Sequence, residues 1–531
     1  MGVTSLPTTV SRGRDASGWD WRALPGPIAG LVLGVLALGL GLRRGFLLTH
    51  DMVFVPREPF AAALPGLAPP RAVPSDLVIA TASRILPGDV VQKVVLVGIF
   101  VLACSGVVAL LDREPMVARL AAGVFYTWNP YVAERLLIGQ WALLLGYATL
   151  PWLLRATLRL DPLSTRGVAR LVLAVLPAAI GGFAAMVLCA LVVLPAVLMT
   201  RNVRIVAVAL CTLLAGSLPW LIPSLLHSVY VDPASVAAFA TRPDTPFGSV
   251  GSLLMLGGIW NAGTVPKAYG GPLSAIWLGV VLVALAGFVV SVRGEPRWRG
   301  LAISAVAGLL IGCVGVTAPG RDMLRSLIAA FPGAATFRDA QQYVAPLALA
   351  EACGMGVVVA WVNKPRTSDG AGLIFGVVAL LAPVLLLPGL ALGGAGRLRP
   401  AMYPASWLAA ARTIDGNPAH GSVLLLPWET YRAPSWNHGQ VVLDPWTRLL
   451  ARPLVWNDGT RVGNVELAPD DPVARGLDGA IRGAGPLTAR LRAAGVRFVL
   501  DDVAGDPVQA RLPGAVVFIH EPGLVVYQVP G

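Results

Sequence analysis

The stretch from 43 to 60 packs the most chemistry into the least chain. His50, Asp51, Arg57 and Glu58 follow directly on the first long apolar run. A carboxylate just beyond a membrane span is where a lipid-linked substrate can meet a general base, and Asp51 holds that position. A local reading competes with it. Thr49-His50-Asp51 ahead of apolar residues is also how a helix or turn begins, with Asp51 as its cap. Two further runs carry polar groups of the same kind. Glu134, Arg135 and Gln140 lie in Thr127-Trp-Asn-Pro-Tyr-Val-Ala-Glu-Arg-Leu-Leu-Ile-Gly-Gln-Trp141, and Arg338, Asp339 and Gln342 lie in Phe337-Arg-Asp-Ala-Gln-Gln-Tyr343. An acid–base pair at the mouth of an apolar helix is costly unless it is functional or locally paired, so Glu134 and Arg135 read either as site residues or as an interfacial ion pair.

The elements that must position these groups are membrane helices. Of 531 residues, 56% are hydrophobic and only 13% charged, whereas soluble chains carry roughly a quarter charged residues. Apolar runs near membrane length recur along the chain at 25–42, 91–111, 115–128, 136–154, 170–181, 183–200, 205–226, 272–292, 300–317, 344–362 and 372–391. They predict a polytopic helical protein of about eleven spans. The first is expected to be an uncleaved anchor behind a tail at 1–24. The net charge of +12 would suit nucleic acid, but its placement argues otherwise. From Arg397 onward 13 basic residues face 12 acidic ones, so nearly all the excess lies among the apolar runs. No basic patch with interleaved aromatics is present.

The basic residues orient the spans. The short loops near 113–119, 155–170, 201–204, 293–299 and 364–366 each hold at least two, and the positive-inside rule puts them and the N-terminus in the cytoplasm. The large loops at 43–90, 227–271 and 318–343 then share the opposite face with the end of the chain, as do Glu134 and Arg135. In the first of them, Ser75 to Arg84 reads as a short helix on the membrane surface, with Ser75 as its cap.

Residues 25–391 form the expected membrane domain, and the pattern changes after 392. Ser422–Leu426, Val441–Leu443, Val496–Leu500, Ala515–Ile519 and Leu524–Val529 read as strands, with Glu521-Pro-Gly523 turning a hairpin. Pro486 to Gly495 reads as a helix closed by glycine. A soluble, extracytoplasmic α/β domain over 392–531 follows. The five cysteines all sit in apolar runs and pair at no metal-ligand spacing.

No P-loop, GxSxG, HExxH or paired CxxC occurs. Three stretches resemble a family: Asn129-Pro-Tyr with Arg135-Leu-Leu-Ile-Gly-Gln-Trp and Pro151-Trp; Val423-Leu-Leu-Leu-Pro-Trp428 with Pro445-Trp446; and Leu491-Arg-Ala-Ala-Gly-Val-Arg-Phe-Val-Leu500. With the layout of one span, a long outer loop bearing an acid, and an outer C-terminal domain, the chain is similar to the GT-C glycosyltransferases. It most resembles the membrane arabinofuranosyltransferases of cell-envelope arabinan. It departs from them in being shorter and in carrying a single Asp in the first loop, not an Asp-x-Asp or Glu-x-Asp pair. The resemblance implies a polyprenyl-phosphate sugar donor and a glycan or glycolipid acceptor at the plasma membrane, with Asp51 as base. Arg57, Arg135 or Arg338 would clamp the donor phosphate. Gln342 would bond sugar or headgroup oxygens, while Arg338 paired with Asp339 is the structural alternative. His50, Glu58, Glu134 and Gln140 complete the expected substrate contacts. No cofactor is demanded, and a divalent cation remains an option at a site with one acid. A flippase or transporter, or a scaffold of envelope assembly, would use similar features.

Overall fold

The computed structural model describes residues 24–64, 73–226, 230–364, 369–503 and 507–531. The N-terminal tail as far as residue 23, His227 and the Pro365-Arg366 part of one basic turn lie outside them. Among the described residues six helices are long and apolar enough to cross a membrane: Pro25–Leu42, Gly88–Leu110, Val203–Leu226, Leu273–Gly294, Pro296–Val314 and Ala340–Val362. A seventh span is completed if Gly370–Leu386 and Pro388–Gly396, bent by 58°, count as one. This is a polytopic helical membrane protein. The other four expected segments coincide with Met116–Thr127, Trp141–Leu158, Thr165–Gly181 and Phe183–Leu198, helices that are shorter or carry charge.

Small residues set how closely the helices approach. Gly26, Gly30 and Gly34 recur every fourth position on the first helix and face Gly88–Leu110. A Cβ at Gly30 would come to 2.6 Å of the Val101 Cα. Gly287 and Gly354 fit Leu273–Gly294 against Ala345–Val362 in the same way. In lipid there is no hydrophobic drive between helices, and such close contact supplies the attraction.

Two polar segments differ from the sequence expectation. The 318–343 loop is largely helical: Thr317 caps Ala318–Ala330 by accepting from Gly320 N, and two 3₁₀ turns follow. The helix in the first loop spans Ser75–Ala82, but Ser75 is its first residue and no side chain caps it, because Pro74 occupies the cap position.

The end of the chain folds around a five-stranded sheet in the order 516–521, 524–528, 496–501, 422–426, 454–455. Val423 to Leu426 run parallel to Phe498 to Asp501 at the centre, and the hairpin strands are antiparallel. Thr488–Ala493 leads through Gly495 (φ +74°), which closes the helix as expected, into the central strand. The sequence reading missed the flanking helices Ala405–Gly416 and Pro472–Arg482 and the edge strand Leu454–Val455.

The first large loop, after residue 42, is stitched into this sheet domain. Phe46–Leu47 pair with Pro400–Ala401. His50 N donates to Val441 O at 2.7 Å, and His50 O accepts from Leu443 N at 2.8 Å. Tyr403 donates its hydroxyl to Phe54 O at 2.9 Å. From the membrane side, Gln92 both donates to and accepts from the Leu47 backbone.

Candidate functional site

Asp51 lies on a turn fixed from two sides. Asn129 caps the helix Pro130–Leu137 by accepting from Val132 N, with Pro130 at its first position. Where that helix ends, Ile138 O accepts Asp51 N at 3.0 Å, and Leu137 O accepts the Thr49 hydroxyl at 3.0 Å. Gly139 (φ +86°) permits this contact, since a Cβ there would sit 2.6 Å from Thr49 O. His50 adopts φ +40°, a backbone state few non-glycine residues take, held by its bonds to Val441 and Leu443. No helix begins at Asp51. Its half-buried carboxylate instead accepts the Tyr431 hydroxyl at 2.6 Å. Burial lowers the pKa of the His50 imidazole, against a smaller opposing effect of its bond to Leu137. The ring is therefore uncharged near neutral pH and supplies no cation.

The cation beside Asp51 is Arg448. It stands 2.9 Å from Asp76 Oδ2 and 3.8 Å from Glu58 Oε1, and Asp51 adds to the field that keeps it charged. The Pro445-Trp446 stretch delivers it: Asp444 Oδ1 accepts Trp446 N at 3.0 Å and starts the short helix Trp446–Leu449. Glu58 is 1% exposed, and burial followed by the nearby Asp76 pushes its carboxyl up to about 9, only partly opposed by Arg448. Burial raises Asp76 as well. One guanidinium thus faces more carboxyls than it can neutralise, and Glu58 holds a proton at neutral pH.

This proton has a measurable consequence. A carboxyl whose folded-state pKa lies above its unfolded value contributes stability that is present below the unfolded pKa, near 4.5, and lost as pH rises through about 9. The thermal midpoint of the wild type should therefore fall across that window. In Glu58→Gln, which keeps the shape without the proton, the decline should be clearly shallower. Parallel curves for the two proteins would show that Glu58 is ionised in the fold.

A second polar cluster lies along the Pro130–Leu137 helix. Arg135, 1% exposed, donates to Gln140 Oε1 at 3.2 Å and stands 3.9 Å from Asp339 Oδ1. Gln140 and Gln341 both donate to Asp339, and Arg135 lies 5.4 Å over the Tyr131 ring. Glu134 is also buried, facing Asp244; burial first and Asp244 second raise its carboxyl well above the ordinary range. Arg338 lies 4.9 Å over the Phe239 ring. Gln342 donates to Thr336 O, and its own carbonyl accepts from Tyr131. Arg57 is exposed.

The fold thus brings His50 and Asp51 to one end of a short connection, 137–140, and Arg135, Gln140 and Asp339 to the other, while Glu58 sits against Arg448. Gln342 is buried and joins the Arg135 end through Tyr131, whereas Arg57 is exposed. Tyr431, Arg448, Asp76 and Asp244 were missed by the sequence reading. Arg448 lies two residues beyond the Pro445-Trp446 pair, Asp76 in the expected surface helix and Asp244 in the 227–271 loop, whereas Tyr431 carried no signal. Among the described residues no three His, Cys, Asp or Glu side chains are grouped to hold a metal ion.

Beside this site an apolar crevice of ≈ 380 Å³ opens between the surface helix and the bundle, lined by Val78, Ile79, Val95, Leu102, Trp141 and Ile180 among others. Trp141 packs on Phe54, three residues past Asp51, at 5.2 Å. Comparison of the whole structure with solved ones gives matches of full length on this side. The cryo-EM structure of the arabinofuranosyltransferase AftD from Mycobacteria aligns at TM-score 0.61 and 17% identity over 97% of this chain. The chain shares its fold with that part of AftD. A mutant form of AftD aligns at TM-score 0.62 over 98% of this chain, again at 17% identity. The chain spans about two-fifths of AftD, 40% and 42% in the two structures. No family model matches the sequence, and no curated protein matches it either. At the level of fold, this likeness agrees with the resemblance to membrane arabinofuranosyltransferases drawn from short motifs.

Proposed function

We propose that this protein is a membrane glycosyltransferase that moves a sugar from a polyprenyl-phosphate donor to a cell-envelope glycan or glycolipid on the outer face. The observation that carries the reading is Asp51. Its accessible carboxylate is held by Tyr431 and backbone bonds at the end of a bundle helix, beside an apolar crevice suited to a prenyl chain. Glu58 and Glu134, the other acids expected near the site, are buried, and burial raises both carboxyls, which leaves Asp51 the accessible acid. Asp51 takes the proton of the acceptor hydroxyl as that oxygen attacks the anomeric carbon and the lipid phosphate leaves. Arg57 and Arg338 bind the donor phosphate by charge-assisted bonds. Arg135, Gln140 and Asp339 brace one another and fix the connection that carries Asp51, while His50, uncharged, and Gln342 bound the sugar. The arrangement has eleven spans, a cytoplasmic N-terminus, a membrane domain over 25–391 and an outer domain over 392–531. The likeness to AftD supports arabinofuranose as the first donor sugar to test.

The test is transfer by the purified full chain in lipid nanodiscs, offered a panel of polyprenyl-phosphate sugars with a glycan acceptor. Release of polyprenyl phosphate matched by glycan extension is the expected result. A chain that binds no lipid donor and extends no acceptor across the panel is not a transferase of this kind.

A further inference from the structure

A second crevice, of ≈ 560 Å³, lies wholly in the sheet domain. Its volume falls in the range of small-molecule sites, and its lining includes Trp407, Trp436, Glu429, Arg432, Ser435 and Asp502. Four prolines also line it, which stiffens the walls.

Three features give the crevice a definite chemistry. The first is an aromatic platform set by packing. Trp436 lies 5.0 Å from Tyr403 and 5.2 Å from Trp407, which stacks in turn on Trp446 at 4.5 Å. The indole N–H of Trp436 is buried with no acceptor among the described residues, so ring contacts alone hold it. The second is a fixed polar wall. Arg432, 8% exposed, grips Asp502 through both terminal nitrogens, one at 2.5 Å, and reaches Asp444 at 3.4 Å. Trp446 donates to the same Asp502 carboxylate at 2.9 Å. The third is charge. Glu429 and Asp502 against Arg432 leave the lining with one excess negative charge, which disfavours an anionic ligand.

A flat aromatic face beside planar, pre-set hydrogen-bonding groups suits a molecule with apolar C–H faces and hydroxyl edges. Location adds the rest. Tyr431 and Arg432 are the two residues of one strand, whose side chains point to opposite faces. Tyr431 bonds Asp51 on one face, and Arg432 lines the crevice on the other.

We propose that this crevice is a saccharide subsite that holds a neutral stretch of glycan one strand's thickness from Asp51. Its service as an acceptor subsite rests on the transferase reading above, whereas saccharide binding itself does not.

The experiment uses the full chain in nanodiscs and measures direct binding by ligand-observed NMR. The probes are synthetic oligoarabinofuranosides, oligomannosides and, as an anionic control, oligogalacturonate of equal length. A neutral oligosaccharide is expected to bind saturably. Trp436→Ala and, as a variant that fills the crevice without removing core packing, Ser435→Trp should each weaken it roughly tenfold. Asp51→Asn should leave this binding unchanged while affecting transfer. The proposal is overturned if no neutral oligosaccharide binds, if oligogalacturonate is preferred, or if Ser435→Trp binds as tightly as wild type. Binding that follows these variants in a protein with no transfer activity would overturn the transferase reading and leave the subsite standing.

Discussion

Replacing Asp51 by Asn should lower turnover by about 10²–10⁴, the usual loss when a positioned general base is removed. Folding should survive. The Asn side chain still offers an oxygen to the Tyr431 hydroxyl, and the backbone bond from Asp51 N to Ile138 is untouched. The comparison is single-turnover transfer by wild type and variant in nanodiscs, with donor binding measured alongside. Loss of rate with donor affinity retained is the signature of a base. Near wild-type transfer by Asp51→Asn would make the carboxylate a strut for Tyr431. Neither Glu58 nor Glu134 is well placed to take over, because both are buried away from an acceptor.

Arg448→Met should be among the most destabilising single changes outside the bundle. Arg448 is the one cation within ion-pair distance of Asp76 and Glu58 among the described residues, and Asp76 is itself buried. Removing one partner of a buried ion pair typically costs about 3–5 kcal/mol, because the charge left behind has no water to solvate it. Methionine fills most of the space, so the cost falls on the stranded carboxylate more than on packing. The expected result is a large drop in thermal midpoint and in yield of the membrane-inserted protein. Arg448→Met combined with Asp76→Asn should recover much of both. A single variant as stable as wild type would mean that Asp76 is protonated in the fold and that Arg448 serves chiefly the field at Asp51.

The membrane class was legible because it depends on composition and run length, which need no partner. Where the chain turned to strands was also legible, since Val423–Leu426, Val496–Leu500 and the 516–528 hairpin carry continuous β-branched and apolar runs. The helices Ala405–Gly416 and Pro472–Arg482 were harder. Each packs one face on the sheet, and a stripe of three or four apolar residues is a weak signal in polar surroundings. The 318–330 segment hid for the same reason, with only Leu324 and Ile328 buried along it.

Residue types alone singled out His50–Asp51 and Glu134–Arg135, because charge next to an apolar span is expensive and therefore informative. Sequence could not assign their ionisation. Whether a carboxyl keeps its proton depends on burial and on charges brought near by folding, and Asp76, Asp244 and Arg448 lie 18 to 390 positions from the acids they act on. Nor could it find Tyr431, which reaches Asp51 across 380 residues. Composition and periodicity are local sums along the chain and so fix the solvent each segment prefers. The geometry around Asp51 depends on the register in which the first loop pairs with the sheet domain, and only packing sets that register.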